Sequence, residues 1–275
     1  MNKRFAHARQ QAGHTLLELT IAVALGLVVT LGALSAYRTQ RQAYAQASDA
    51  ARIHEAGMNA LMLIGEQIQM GGFVAADARS PLAGPAIFGC AAGRPTGTDA
   101  ALGCEPLSSR SDGLAVRYQG DSVSTWPAAN GQATDCLGQA VGVAGVEIVN
   151  RYYANVSQST RESELYCVGS GYAGKPQPLV EGVERLSLRY WTAGAAQAAE
   201  ASALARDQWA SVVAVDLCVQ VRGAAFARRM RYVDCDGAQA VGTDGRARQA
   251  FWRHIVLRNV LPAAVLPAAV LHSVP

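Results

Sequence analysis

Glu18 lies in the stretch Gly13-His14-Thr15-Leu16-Leu17-Glu18-Leu19, at the head of a run that is otherwise apolar. A lone carboxylate carried into hydrocarbon costs about 2–3 kcal/mol, so a plain anchor would hold Leu or Ala there. Its chemistry therefore turns on what stands opposite it: lipid headgroups reached by snorkelling from near the helix end, or a cation from another chain. Other reactive side chains are sparse. Cys90, Cys104, Cys136, Cys167, Cys218 and Cys235 all follow the apolar run, form no C-x-x-C, and have no histidine at zinc-site spacing. An even set behind an export segment reads as disulfides in an oxidising compartment. Six cysteines allow about 15 pairings, with neighbours in sequence the simplest. His7, His14, His54, His254 and His272 are scattered. Asp234-Cys235-Asp236-Gly237 lacks the spacing of a calcium loop and reads as a β-turn. Phosphate-loop, serine-hydrolase and zinc-protease signatures are missing, and "GRPTGT" (93–98), with glycines but no lysine, reads as a turn. No catalytic residue, metal ligand or cofactor is expected.

The elements that hold these residues begin with a basic leader. Of 24 Lys and Arg against 21 Asp and Glu, Lys3, Arg4 and Arg9 precede residue 14, and the remainder of the chain is neutral. That distribution excludes the basic face of a nucleic-acid binder. Residues 19–36 carry no charge, close to the length of a bilayer span. The basic residues ahead of them place the N-terminus in the cytoplasm and send the rest across. Three processing routes are compatible with this layout: a secretory signal cut after Ala33-Leu34-Ser35, an uncut signal anchor, or a leader cut after Gly13. Glu18 argues against the first, as does the helical pattern, which runs without proline to Met70 and stops at Gly71-Gly72. Ile53, Gly57, Leu61, Ile64 and Ile68 recur at steps of four and three. One helix of about 55 residues is expected, apolar all round at first and amphipathic afterwards.

"GHTLLEL" resembles the type IV prepilin motif: a short basic leader, Gly13 before the cut, and Glu at the fifth mature position. His14 stands where that family most often has Phe. The resemblance implies cutting between Gly13 and His14 by a prepilin peptidase and N-terminal methylation of His14. It also implies that Glu18 sets subunit register against the α-amino group of His14 on a neighbouring subunit. Beside a cation in a low-dielectric bundle, the attraction offsets the desolvation of the carboxylate.

Beyond Gly72, residues 74–112 are rich in Ala, Gly, Pro, Ser and Asp and read as a loop region stapled by Cys90 and Cys104. Strand-like runs follow at 113–118, 145–155, 164–168, 182–191 and 212–223, and 251–261 is positioned to close the sheet. Residues 193–207 have the composition of a short helix or insert. The tail repeats L-P-A-A-V, which precludes a regular helix. The fold class expected is α+β, a long N-terminal helix packed on a mostly antiparallel sheet. Its divisions are a leader (1–13), a helix (14–72, with 14–37 transmembrane), a globular domain (73–262) and a tail (263–275).

The series "QIQMGGF", "DCLGQ", "NRYYA", "LYC", "PLVEGVERLSLRYW", "VVAVDLCVQVR", "YVDCDG" and "FWRHIVLRNVLP" is similar, in that order, to a PilW-type minor pilin. That likeness implies a non-enzymatic subunit that primes type IV pilus assembly and is carried at or near the tip. The implied partners are other minor pilins, a PilY-type tip adhesin, the major pilin, the inner-membrane assembly platform and the prepilin peptidase. The implied location is the inner membrane and then the pilus. The alternatives are a pseudopilin of a type II secretion system, which shares helix, glutamate and sheet, and a signal-anchored periplasmic enzyme or binding protein.

Overall fold

The computed structural model describes residues 15–75, 80–121, 124–142, 145–171, 174–225 and 230–260. The leader with Gly13 and His14, and the tail from 263, lie outside the described residues. The chain divides into two units, Met1–Ser48 and Asp49–Pro275. Helix α1 runs Leu16–Met70. Its end is set by Gly72, whose positive φ of 81° ends the helical path. The Asn259 side chain then donates to the carbonyl oxygens of Gln69 (3.0 Å) and Met70 (3.4 Å), acceptors that the last turn leaves without a partner in the helix.

Among the described residues fifteen strands follow: β1 (Ile87–Cys90), β2 (Gly93–Thr98), β3 (Ala101–Pro106), β4 (Gly113–Gly120), β5 (Ala133–Thr134), β6 (Ala140–Gly142), β7 (Val146–Val156), β8 (Ser163–Val168), β9 (Gln177–Glu181), β10 (Val183–Thr192), β11 (Ala199–Glu200), β12 (Val212–Ala225), β13 (Met230–Val233), β14 (Gln239–Gly242) and β15 (Arg246–Val256). A five-stranded sheet has the order β1-β4-β7-β8-β9, and a four-stranded sheet the order β11-β10-β12-β15. Every ladder in both is antiparallel.

The two sheets are joined at Ser111 and Asp112, just before β4, by one backbone bond, from the Asp112 N–H to the Leu186 carbonyl (3.0 Å), and by two side chains. Ser111 Oγ accepts from the Leu186 N–H (3.0 Å), and Asp112 Oδ2 accepts from the Leu188 N–H (2.9 Å). Those bonds satisfy donors on β10 that would otherwise be buried and bare. From residue 49 onward, α1 turns Ile53, Gly57, Leu61, Ile64 and Ile68 inward, in the expected spacing, onto a core that includes Leu114, Tyr152, Leu186, Leu217 and Phe251. Gly57 is required by a close approach: a β-carbon there would stand under 3.0 Å from three ring carbons of Phe251.

Three disulfides, Cys90–Cys104, Cys136–Cys167 and Cys218–Cys235, join neighbours in sequence. The first ties the β2–β3 hairpin to β1. The second ties the turn after β5 to β8. The third ties the turn of the β13–β14 hairpin to β12, where Arg185–Asp236 (3.3 Å) and Arg248 over the Tyr232 ring (5.3 Å) also hold it.

Three expectations are corrected. Residues 74–112 are not only loop, and "GRPTGT" is not a turn: it is β2, paired along its length with β3. Pro95 lacks a donor, but β2 pairs on one side only, so the missing N–H is tolerated. Residues 193–207 form no α-helix. Ala199–Glu200 pair with Tyr190–Arg189, and 3-10 turns follow at Ala201–Ala203 and Arg206–Ser211. A short Ala-rich stretch that packs little more than Ala201 and Leu204 against the core does not meet the cost of helix nucleation. The last strand begins at Arg246 rather than 251 and is an edge beside β12.

Candidate assembly interface

As far as Ala36, the first unit contributes a helix whose surface beyond Glu18 is apolar on every side. Eleven large apolar side chains between Leu16 and Leu34 are each more than half exposed, from Ile21 at 52% to Leu16 at 81%. Each gains about 1.5–3 kcal/mol on leaving water, so this surface requires lipid or like helices around it. Two threonine hydroxyls within the run are satisfied by the helix itself. Thr20 donates to the Leu17 carbonyl (2.8 Å) and Thr30 to the Leu27 carbonyl (2.9 Å). A hydroxyl bonded in this way asks nothing of the surrounding medium.

Glu18 lies exposed in the first turn of α1. There its charge opposes the positive end of the helix dipole. Thr15 begins the helix: its Oγ1 accepts from the Glu18 N–H (3.3 Å) and its carbonyl from the Leu19 N–H (3.2 Å). Thr15 is therefore the N-cap, and Thr-x-x-Glu has the spacing of a capping box. Thr15 has no charge to set it apart in the sequence, although the signature is visible there as T-L-L-E.

In the second unit, the groups with displaced ionisation are clamps between strands. Arg248 donates to Glu184 (2.7 and 2.9 Å) and to Asp244 (2.7 Å). Burial pushes the Glu184 carboxyl up, but the bonds from Arg248 and Gln220 outweigh it and hold the group below its ordinary value. The Arg248 hydrogen bond holds Asp244 low as well, and both partners raise Arg248. Asp112 moves the other way, because its burial outweighs the N–H groups of Ala92 and Leu188. Burial raises the Tyr118 phenol to about 12, and Asn150 bonds it at 3.0 Å. Asp49, buried on α1, accepts from the Ala224 N–H (2.7 Å). Gly223 leaves room for that carboxylate, which a β-carbon would meet.

Among the described residues, the scattered candidates lie apart from one another. His54 packs on the Phe251 ring, and His254 Nδ1 lies 2.6 Å from Asp216. Asp234–Gly237 is a turn, with the Asp234 carbonyl accepting from the Gly237 N–H (3.1 Å). Among the described residues, no group of three His, Cys, Asp or Glu is arranged to hold a metal.

Comparison with known proteins bears on both units. Residues 151–259 match the family described as type IV pilus-assembly protein W. Residues 8–34 match the prokaryotic N-terminal methylation motif. No curated protein matches the chain. Among solved structures, a type IV-like pilin from Thermus thermophilus is similar at 12% identity and a TM-score of 0.41, covering 77% of this chain and 96% of that one.

Proposed function

We propose that this chain, similar over residues 151–259 to type IV pilus-assembly protein W and over 8–34 to the N-terminal methylation motif, is a PilW-type minor pilin that primes pilus assembly at the inner membrane and is then carried at or near the tip. The family and the fold are those of a structural protein. Its coarse requirements follow from the family: a membrane-anchored precursor and contacts with other pilins and the pilus machinery. In our reading the N-terminus lies in the cytoplasm and the stapled domain in the periplasm. A peptidase cuts between Gly13 and His14, the new amine of His14 is methylated, and residues 14–37 pass from lipid into a helix bundle. Glu18 then faces the amine of a neighbouring subunit. Contacts of this head-to-tail kind do not close, so they propagate as a filament. The disulfide-stapled domain distinguishes neighbours: other minor pilins, the major pilin, a PilY-type adhesin and the assembly platform.

The observation that carries this reading is the wholly exposed apolar surface of α1 with one carboxylate in its first turn. N-terminal sequencing of protein recovered from sheared pili tests it. The expected start is His14; a start at Ala36, or an intact Met1, overturns it.

A further inference from the structure

We propose that Tyr37, Arg38, Arg41 and Tyr44 form a clasp for the phosphate headgroups of anionic phospholipid, at the C-terminal end of the apolar run. The proposal rests on the membrane-anchored reading above. Tyr37 ends the uncharged stretch that follows Glu18, and Arg38 and Arg41 are the first charges after it. Steps of four and three place Tyr37, Arg41 and Tyr44 on one helix face, with Arg38 beside them. All four are exposed, Tyr44 at 77%. The opposite face carries Thr39, Gln42, Ala43 and Gln46, so the clasp has one side.

Geometry brings these groups to the headgroup layer, which is about 5–8 Å deep on each side of a bilayer. Arg41 lies about 6 Å further along the helix axis than Tyr37. Side chains on a helix lean toward its N-terminus, here back toward the apolar run. The structure shows that lean: the Arg41 guanidinium stands over the Tyr37 ring at 5.9 Å from its centroid. Tyrosine suits the boundary, with an apolar ring and a polar tip, and arginine offers a paired-donor fork to phosphate. Charge complementarity is complete over this stretch, since no Asp or Glu occurs between Glu18 and Asp49. Arginine on an exported flank runs against the positive-inside preference, and a lipid phosphate gives it a use.

A consequence concerns the leader. While Lys3, Arg4 and Arg9 are attached, basic residues flank both ends of the apolar run. In a chain beginning at His14, the three side-chain cations of the leader are replaced by a single α-amino group, while Arg38 and Arg41 are kept. Removal of the leader thus weakens the hold on one headgroup layer relative to the other, and favours departure of the chain toward the clasp side.

The test uses the full chain and the peptidase-cut chain in nanodiscs of equal phosphatidylglycerol and phosphatidylcholine, with retained lipids counted by native mass spectrometry. The cut chain is expected to retain phosphatidylglycerol preferentially. Arg38→Gln/Arg41→Gln should lose that preference about thirtyfold, equivalent to about 1 kcal/mol per arginine. Arg52→Gln should keep it, and the uncut double variant should keep part of it through the leader. Unchanged phosphatidylglycerol retention by the cut double variant overturns the proposal. So does a cut chain that inserts with no lipid preference, or a double variant that loses pilin binding while its lipids are unaltered. A chain that fails to enter nanodiscs at all instead removes the membrane reading beneath it.

Discussion

Replacing Gly57 by alanine sets two effects of similar size against each other. Alanine is favoured over glycine inside a helix by about 1 kcal/mol. Against that, the new β-carbon meets three ring carbons of Phe251 at under 3.0 Å, where ordinary contact begins at 3.4 Å. The ring cannot simply swing away: it is 8% exposed and lies against His54, with ring centroids 5.7 Å apart. Crowding of this kind in a packed core costs about 1–3 kcal/mol. The net expectation is a loss of about 1 kcal/mol, which in a unit of this size lowers Tm by about 3 °C. Thermal unfolding of the solubilised chain, followed by circular dichroism, measures it. The Phe251→Leu background supplies the second arm of a double-mutant cycle. With the ring removed, the propensity gain stands alone, and Gly57→Ala should become stabilising by up to about 1 kcal/mol. If Gly57→Ala stabilises the protein that retains Phe251, the helix and β15 are not in close contact, and the reasoning fails.

Asn150 is fully buried and bonds Gln67 (2.8 Å), Tyr118 (3.0 Å) and the Cys136 N–H (3.1 Å). Asn150→Ala should cost about 3 kcal/mol through stranded polar groups, with faster hydrogen exchange at the Cys136 amide as the specific sign. Stability should also depend on pH through two opposed contributions. Glu184 and Asp244 have lowered folded-state values, so their contribution is present above the ordinary 4.5 and 3.8 and is lost as pH falls through the lower folded values. Asp112 is raised above 3.8, so its contribution is present below that value and is lost as pH rises through the raised one. Urea unfolding from pH 3 to pH 7 should therefore show a shallower acid limb in Glu184→Gln than in the wild type; an unchanged limb refutes the Arg248 clamp.

Much of this architecture was legible because it repeats. The helix announced itself by the absence of proline and by Ile53, Gly57, Leu61, Ile64 and Ile68, and Gly71-Gly72 marked its end. The alternation of Leu186, Leu188 and Tyr190 with Arg185, Ser187 and Arg189 identified β10, since one face of that strand meets the core. What stayed hidden lacks periodicity. The β2–β3 hairpin contains Gly93, Pro95 and Gly97, and its pairing is sustained by β3 and the nearby disulfide rather than by strand propensity. The seam at Ser111 and Asp112 is made by two side chains and one backbone bond meeting a strand some 75 residues away in sequence. No local pattern reports such a meeting. Trp209 likewise lies in an Ala-rich neighbourhood, yet it is buried against Phe88 and Tyr190 because β1 and β10 bring them there.

The capping position of Thr15 changes how Glu18 must be tested. In the sequence its carboxylate is conspicuous for being costly in lipid, which directs attention to a second chain. In the structure it also belongs to the first turn, at the position where a capping box takes Glu or Gln alike. Alanine at that position removes charge and cap together, so reduced filament entry by Glu18→Ala has two explanations. Glutamine separates them: it retains a side chain able to serve the cap and removes the charge that would answer an amine. If register depends on charge, Glu18→Gln should be exported normally, start its helix as the wild type does, and enter filaments as poorly as Glu18→Ala. Counting labelled subunits in sheared pili decides the matter. Entry of the Gln variant at the wild-type level would assign Glu18 to the helix start and leave subunit register to be set by packing alone.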